Sequence, residues 1–187
     1  MMLLVTSQVN AQYFTLTEIG LRPTDNQEKE FVVIERTGKS QQELFNQVKS
    51  FIIASYVSPK DVMSDNGIDM ITLNGVSDSD VQCKKGFVML PFTTNYTITF
   101  MFKDGMVRIN NPSINSMLAE STTIGGDIGS FYQLTFTKND NIQTGRERIV
   151  VFKGKGKTTK GAKESIESFF NSLIDKIVNY EEKSDDW

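Results

Sequence analysis

The feature that most restricts the fold of this chain is the run YTITFMFKDGMVRIN, residues 96–110. Tyr96, Ile98, Phe100 and Phe102 alternate with Thr97, Thr99, Met101 and Lys103, the two-residue period of a strand with one buried face. Asp104-Gly105 is a favoured pair for a two-residue type I′ turn. With those residues in the turn, Phe102 lies opposite Val107 and Phe100 opposite Ile109. Both pairs put apolar side chains on one face, so turn chemistry and hydrophobic pattern require the same register. A hairpin of this kind needs a layer to cover its apolar face.

Two amphipathic helices supply candidates for that layer. Ser40 followed by Glu43 is a capping box: the hydroxyl accepts from an orphan helix N–H while the carboxylate reaches back to the cap. Leu44, Phe45, Val48, Phe51, Ile52 and Tyr56 then recur at helical spacing, and Pro59 lies beyond the end. Near the C-terminus, Ala162, Ile166, Phe169, Phe170, Leu173, Ile177 and Tyr180 form a broad apolar stripe that reads as core. Lys163 and Glu167 stand one turn apart on its flank.

Between the helices, GIDMITLNGV (67–76) and GFVMLPF (86–92) read as strands, with Pro91 marking the second for an edge. EFVVIER (30–36) is a strand before the first helix. FYQLTFT (131–137) and ERIVVFK (147–153) read as two more that could pair as a hairpin. Residues 12–29 are polar and read as an extended lead-in, and 110–130, rich in Asn, Ser and Gly, as a loop. Strands grouped between a first and a last helix predict an α+β fold: a twisted antiparallel sheet with two main helices packed on one face. A length of 187 residues with 39% hydrophobic content suits one core, expected to span 12–187 with an acidic tail, EEKSDDW.

Composition narrows the chemistry. The chain has no histidine, which removes the commonest general base, the histidine-dependent nucleophile systems and most catalytic zinc sites. One cysteine, Cys83, can form no internal disulfide. Lys84 and Lys85 beside it could lower its thiol pKa, but a lone Cys at the start of an apolar stretch reads as a small packed hydrophobe. Asp61, Asp65 and Asp69 lie four apart and Asp78 and Asp80 lie close together, but no window supplies the D-x-[DN]-x-[DN]-G of a calcium loop. No catalytic residue, metal or cofactor is therefore expected, and the aspartates read as solvated loop carboxylates.

FKGKGKTTKGAKES (152–165) has the look of a phosphate-binding loop. With Gly156-Lys157-Thr158 closing the motif, the required first glycine falls on Val151. Two lysines also stand where a phosphate cradle needs compact backbone. Nucleotide binding is not expected. The stretch is notable instead for charge: Arg146, Arg148, Lys153, Lys155, Lys157, Lys160 and Lys163 face one acid, Glu147, in a chain of net charge −3. Lys153, Lys155, Lys157 and Lys160, leading into the last helix, are the candidate anion-binding residues.

At the N-terminus, Val9 and Ala11 fit the small-residue rule for signal-peptide cleavage before Gln12. The apolar stretch Met1–Val5 is short and no cation precedes it. Residues 1–11 are therefore expected to be a signal-peptide remnant. No stretch is long enough to span a membrane as a helix.

Together, TGKSQQELFNQVKSFI, VMSDNGIDMITLNGV, YTITFMFKDGMVRIN and the terminal DDW resemble a secreted bacterial family of unknown function whose fold is similar to the TATA-binding protein. The resemblance covers most of 30–110 and 160–187 and leaves 111–158 unmatched. It implies a twisted antiparallel sheet carrying helices and export to the periplasm or elsewhere in the cell envelope, and it supplies no catalytic residues. It does not imply DNA binding, because fold does not carry function. A minor-groove binder needs a basic sheet face with apolar wedges, whereas these strands offer mainly Thr, Met, Asp and Asn.

The expected function is a non-enzymatic cell-envelope binding or interaction module, its partner an unidentified protein or an anionic envelope component. The alternatives are a structural subunit of a surface assembly and a small carboxylate-dependent hydrolase.

Overall fold

Two strands of 16 residues, joined by a tight turn, form the centre of the computed structural model, which describes residues 11–121 and 130–181. In chain order the elements begin with a short hairpin, β1 (Phe14–Thr17) and β2 (Gly20–Pro23), followed by β3 (Phe31–Glu35). Helix α1 (Gln41–Ser55) and the single turn α2 (Pro59–Val62) lead to β4 (Met63–Asp65) and the two long strands, β5 (Met70–Lys85) and β6 (Val88–Lys103). Then come β7 (Met106–Asn110), β8 (Ser113–Ser121), β9 (Ser130–Thr135), β10 (Glu147–Val150), β11 (Phe152–Gly154), β12 (Lys157–Thr158) and α3 (Ala162–Val178).

The fold is α+β, with a mixed, twisted sheet. Its main path runs β10-β9-β8-β6-β5-β4, and β7 also pairs with β6 and carries β3 on its far side. Strand β6 is long enough to take two partners on one edge: Thr93–Thr97 pairs with β8, and Phe100–Lys103 pairs with β7. The Asp104-Gly105 turn forms as expected, with Phe102 opposite Val107 and Phe100 opposite Ile109, and Gly105 at φ 70°.

Helices α1 and α3 cover one face of this sheet. Every second residue of β6 from Leu90 to Phe102 is buried beneath them, including Phe92, Tyr96, Ile98 and Phe100. Phe45 of α1 meets Phe102 edge-on with centroids 5.6 Å apart, and Phe170 of α3 meets Tyr96 at 5.5 Å. The capping box of α1 is present: Glu43 N–H donates to Ser40 Oγ and Ser40 N–H donates to Glu43 Oε2 at 2.7 Å. On the opposite face, Thr72, Asn74, Asn95, Thr97 and Thr99 make a polar row. Thr97 Oγ1 donates to Asn74 at 2.8 Å, and Asn95 donates to Ser116 at 2.9 Å.

Five expectations are corrected. Residues 12–29 are not a plain lead-in, because Phe14, Leu16 and Leu21 of the β1–β2 hairpin are buried in the core. The expected strand 86–92 and the strand of 96–103 are one, β6. Pro91 fits inside it because only β5 borders that part. Residues 113–121 of the expected loop form β8, while 122–129 lie outside the described residues. Strands β9 and β10 pair in parallel rather than as a hairpin, since the chain between them returns to the strand's start. On α3 the buried positions are Ala162, Ile166, Phe170, Asn171, Ile174, Ile177 and Val178, with Phe169 and Leu173 only partly covered at the edge. The expected signal-peptide remnant falls mostly on residues 1–10, outside the described residues.

Candidate functional site

The stretch 152–165 that mimics a phosphate loop is a two-stranded ribbon, β11–β12, closed by Lys155-Gly156. Both turn residues have positive φ, 52° and 70°, as a type I′ turn requires. The ribbon is tied down at its base. Thr159, nearly fully buried, donates its N–H to Val151 O at 2.8 Å and its hydroxyl to Val150 O at 2.6 Å. Backbone held in this hairpin cannot curl round a phosphate. Glycine 161 then opens α3 without a side-chain cap.

The structure sorts the seven cations of this region. Arg148 is consumed by the backbone, with Nη2 donating to Asp140 O at 2.8 Å and Nη1 donating to Lys138 O. Arg146 donates to Gln143 at 3.1 Å, and Lys163 lies 3.7 Å from Glu167. Lys153, Lys155, Lys157 and Lys160 are all exposed, and among the described residues none of their ammonium groups has a hydrogen-bonded or ionic partner. The four candidates are thus the cations of this segment that the fold leaves free. Their charges face solvent on and beside one ribbon.

Tertiary structure adds neighbours from far away in the chain. Lys84 N–H donates to Lys160 O at 2.9 Å, which fastens the end of β5 to the segment after β12. An ideal Cβ on Gly161 would lie 3.9 Å from Met89 Cε and 4.0 Å from Gln82 O, so the start of α3 also rests on this end of the β5–β6 pair. Lys85 stacks its Nζ 3.5 Å from the Tyr132 ring centroid and bonds Glu147 at 2.9 Å. The turn joining β5 to β6 is Gly86-Phe87, with Gly86 at φ 62°. Phe87 is fully exposed at 101%, and Val88 and Met89 follow at 44% and 49%. Sequence reasoning missed this because GFVMLPF reads as a buried strand. The available signal was Lys84-Lys85-Gly86, a charged strand end followed by a turn glycine.

Cys83 sits just inside this end and is fully buried. Burial pushes its thiol up to about 11, while Lys153 and Lys85 pull it down by less. Cys83 thus packs as the small hydrophobe expected, and loss of hydration disfavours its thiolate more than the nearby cations favour it.

A concavity of about 740 Å3 lies between α1, α3 and β5. Phe51, Tyr56, Phe169 and Tyr96 line one part, and Ser77, Asp78 and Asp80 another. The aspartates are placed by a bulge in β5. Ser77 pairs with Thr94 and Val81 with Phe92, so residues 78–80 face a single residue, and Ser79 takes φ 69°. Asp78 accepts from Thr93 Oγ1 at 2.9 Å and Asp80 accepts from Ser77 Oγ. Both are exposed on the rim, and an enclosed, facing pair of carboxylates is not formed there. Of the other aspartates, Asp65 pairs with Lys49 at 3.0 Å and Asp69 accepts from Asn66 at 2.7 Å.

No protein-family model matches the chain, and no curated protein matches it either. Among solved structures it is similar to the crystal structure of a TBP-like protein from Parabacteroides distasonis, with a TM-score of 0.44 and 15% identity. That alignment covers 81% of this chain and 92% of the other. The site residues above rest on this chain's own geometry. Among the described residues no helix is long and apolar enough to cross a membrane.

Proposed function

We propose that this protein is a non-enzymatic binding module of the cell envelope that engages an anionic component through its lysine-rich end. One observation carries the reading: Lys153, Lys155, Lys157 and Lys160 project from or beside one ribbon with no partner among the described residues, while the neighbouring Arg146, Arg148 and Lys163 are engaged internally. Clustered cations with no structural role raise the local concentration of anions within a Debye length, about 8 Å at physiological salt. The rim aspartates support a hydrolase less well, since each is held by a hydroxyl and they do not face each other across an enclosed site.

Binding of the parent and of a variant with all four lysines changed to Gln to soluble polyglutamate, followed across a salt series, tests the reading. The parent should bind at low salt and release as salt rises, and the variant should not bind. The substitutions touch only exposed side chains, so the urea midpoint should stay within about 0.5 kcal/mol of the parent's stability. Equal binding by parent and variant would overturn the proposal.

A further inference from the structure

We propose that the anionic component is a lipid bilayer, and that the β5–β6 turn inserts into it with Phe87 leading. The inference rests on the lysine reading above and adds to it an apolar contact that no soluble polyanion would use. Two-residue turns favour Gly, Asn and Asp, and a phenylalanine there contributes nothing to the turn. At 101% exposure the Phe87 ring touches no core, so the fold itself gives no reason for its presence. Val88 and Met89 extend the apolar surface, at 44% and 49% exposure. Three consecutive exposed apolar residues are a liability in water unless something covers them.

The surroundings select the covering partner. On its own hairpin the tip is preceded by Lys84, while Lys85 is already paired with Glu147 and stacked on Tyr132. Lys84 is bonded through its backbone to Lys160, which brings the β11–β12 ribbon and its lysines to the same end of the sheet. An apolar tip with free cations on the adjoining ribbon matches a bilayer with anionic headgroups: the ring enters the acyl boundary while the ribbon's ammonium groups stay at phosphate level. Stable attachment of a protein to a membrane surface generally takes two weak signals together, such as an apolar element and a polybasic patch. Here both signals are carried on adjoining hairpins. A tight turn is also stiff, so little conformational freedom is lost when it inserts.

Flotation with phosphatidylcholine vesicles, with and without phosphatidylglycerol, tests this on the whole chain, with polyglutamate as the arm lacking an apolar phase. The parent should bind the phosphatidylglycerol vesicles and not the neutral ones. Phe87→Ser should weaken vesicle binding about tenfold or more, the scale expected for losing a buried ring, and leave polyglutamate binding unchanged. In a Phe87→Trp, Trp187→Phe chain the indole emission should shift to the blue on anionic vesicles. Because Phe87 is fully exposed, Phe87→Ser should unfold at the parent's urea midpoint. If Phe87→Ser binds vesicles as the parent does, or the indole does not shift, insertion is wrong. A simultaneous loss of polyglutamate binding in the lysine variant would then leave the electrostatic reading standing. A parent chain that binds neither probe overturns both.

Discussion

Thr94 is fully buried between Ser77 of β5 and Met117 of β8, and its hydroxyl finds no hydrogen-bond partner among the described residues. An unpaired buried hydroxyl loses its hydration without compensation. Thr94→Val keeps the shape and removes that loss, so it should stabilise the chain by about 1 kcal/mol, read as a higher urea midpoint. A lower midpoint would mean that the hydroxyl has a partner after all. Nearby, Gly75 answers a different demand. A Cβ there would stand 2.2 Å from Tyr96 Cζ, so the strand must pass beneath the ring without a side chain. That close approach leaves Tyr96 free to bond Tyr56 at 2.8 Å between the hydroxyl oxygens. In the sequence, LNGV looks like an ordinary strand with one weak residue. Neither the ring above Gly75 nor the orphaned hydroxyl is visible without the partner strands.

At the scale of elements, α3 does two jobs on two faces. Ile166, Phe170, Ile174 and Ile177 face the sheet, the apolar periodicity that the sequence announces. Glu167, Asn171 and Asp175, spaced by four, hold the N-terminal strand instead. Glu167 Oε1 accepts from Thr15 Oγ1 at 2.6 Å and Leu16 N at 2.7 Å, and Asp175 accepts from Tyr13 at 3.1 Å. Buried Asn171 takes the place of a missing strand neighbour: its Oδ1 accepts from Phe14 N at 2.8 Å and its Nδ2 donates to Phe14 O at 2.9 Å. Asn171→Leu would leave both backbone groups unpaired in an apolar setting, at a cost of about 2–4 kcal/mol. Urea unfolding measures it, and an unchanged midpoint would show that β1 docks otherwise. This row was not legible beforehand, because carboxylates and amides on a helix read as its wet face until a distant strand is seen to need them. The β1–β2 hairpin was missed for a different reason: its four-residue strands are too short for alternation to stand out.

For the molecule as a whole, burial at the lysine-rich end links stability to pH. The unfolded chain gives up the Cys83 proton near the ordinary value of 9.0, whereas the folded chain keeps it until about 11. Below pH 9 the thiol is neutral in both states and stability is complete. As pH rises from 9 to 11 the unfolded state gains from ionising and stability falls, by at most about 2–3 kcal/mol for this group. Urea titrations across that window should show the fall in the parent and a smaller one in Cys83→Val. Equal slopes would place the thiol in contact with water. Tyr96, raised above the usual tyrosine range by burial and then by its bond to Tyr56, adds a decline that begins near the ordinary value of 10.0, where the unfolded tyrosine ionises, and that both chains share. By itself the sequence determined what depends on near neighbours: the α+β class, the capping box at Ser40, the register across Asp104-Gly105, and the failed spacing of the phosphate-loop mimic. Each follows from side-chain periodicity or turn chemistry within a few residues. Tertiary structure decided what depends on partners distant in the chain. It fixed the parallel pairing of β9 with β10, the merging of two apparent strands into β6, and the choice of which lysines remain free. It also left Phe87 bare, because whether an apolar residue is core or surface is set by what packs over it, and over that turn nothing does among the described residues.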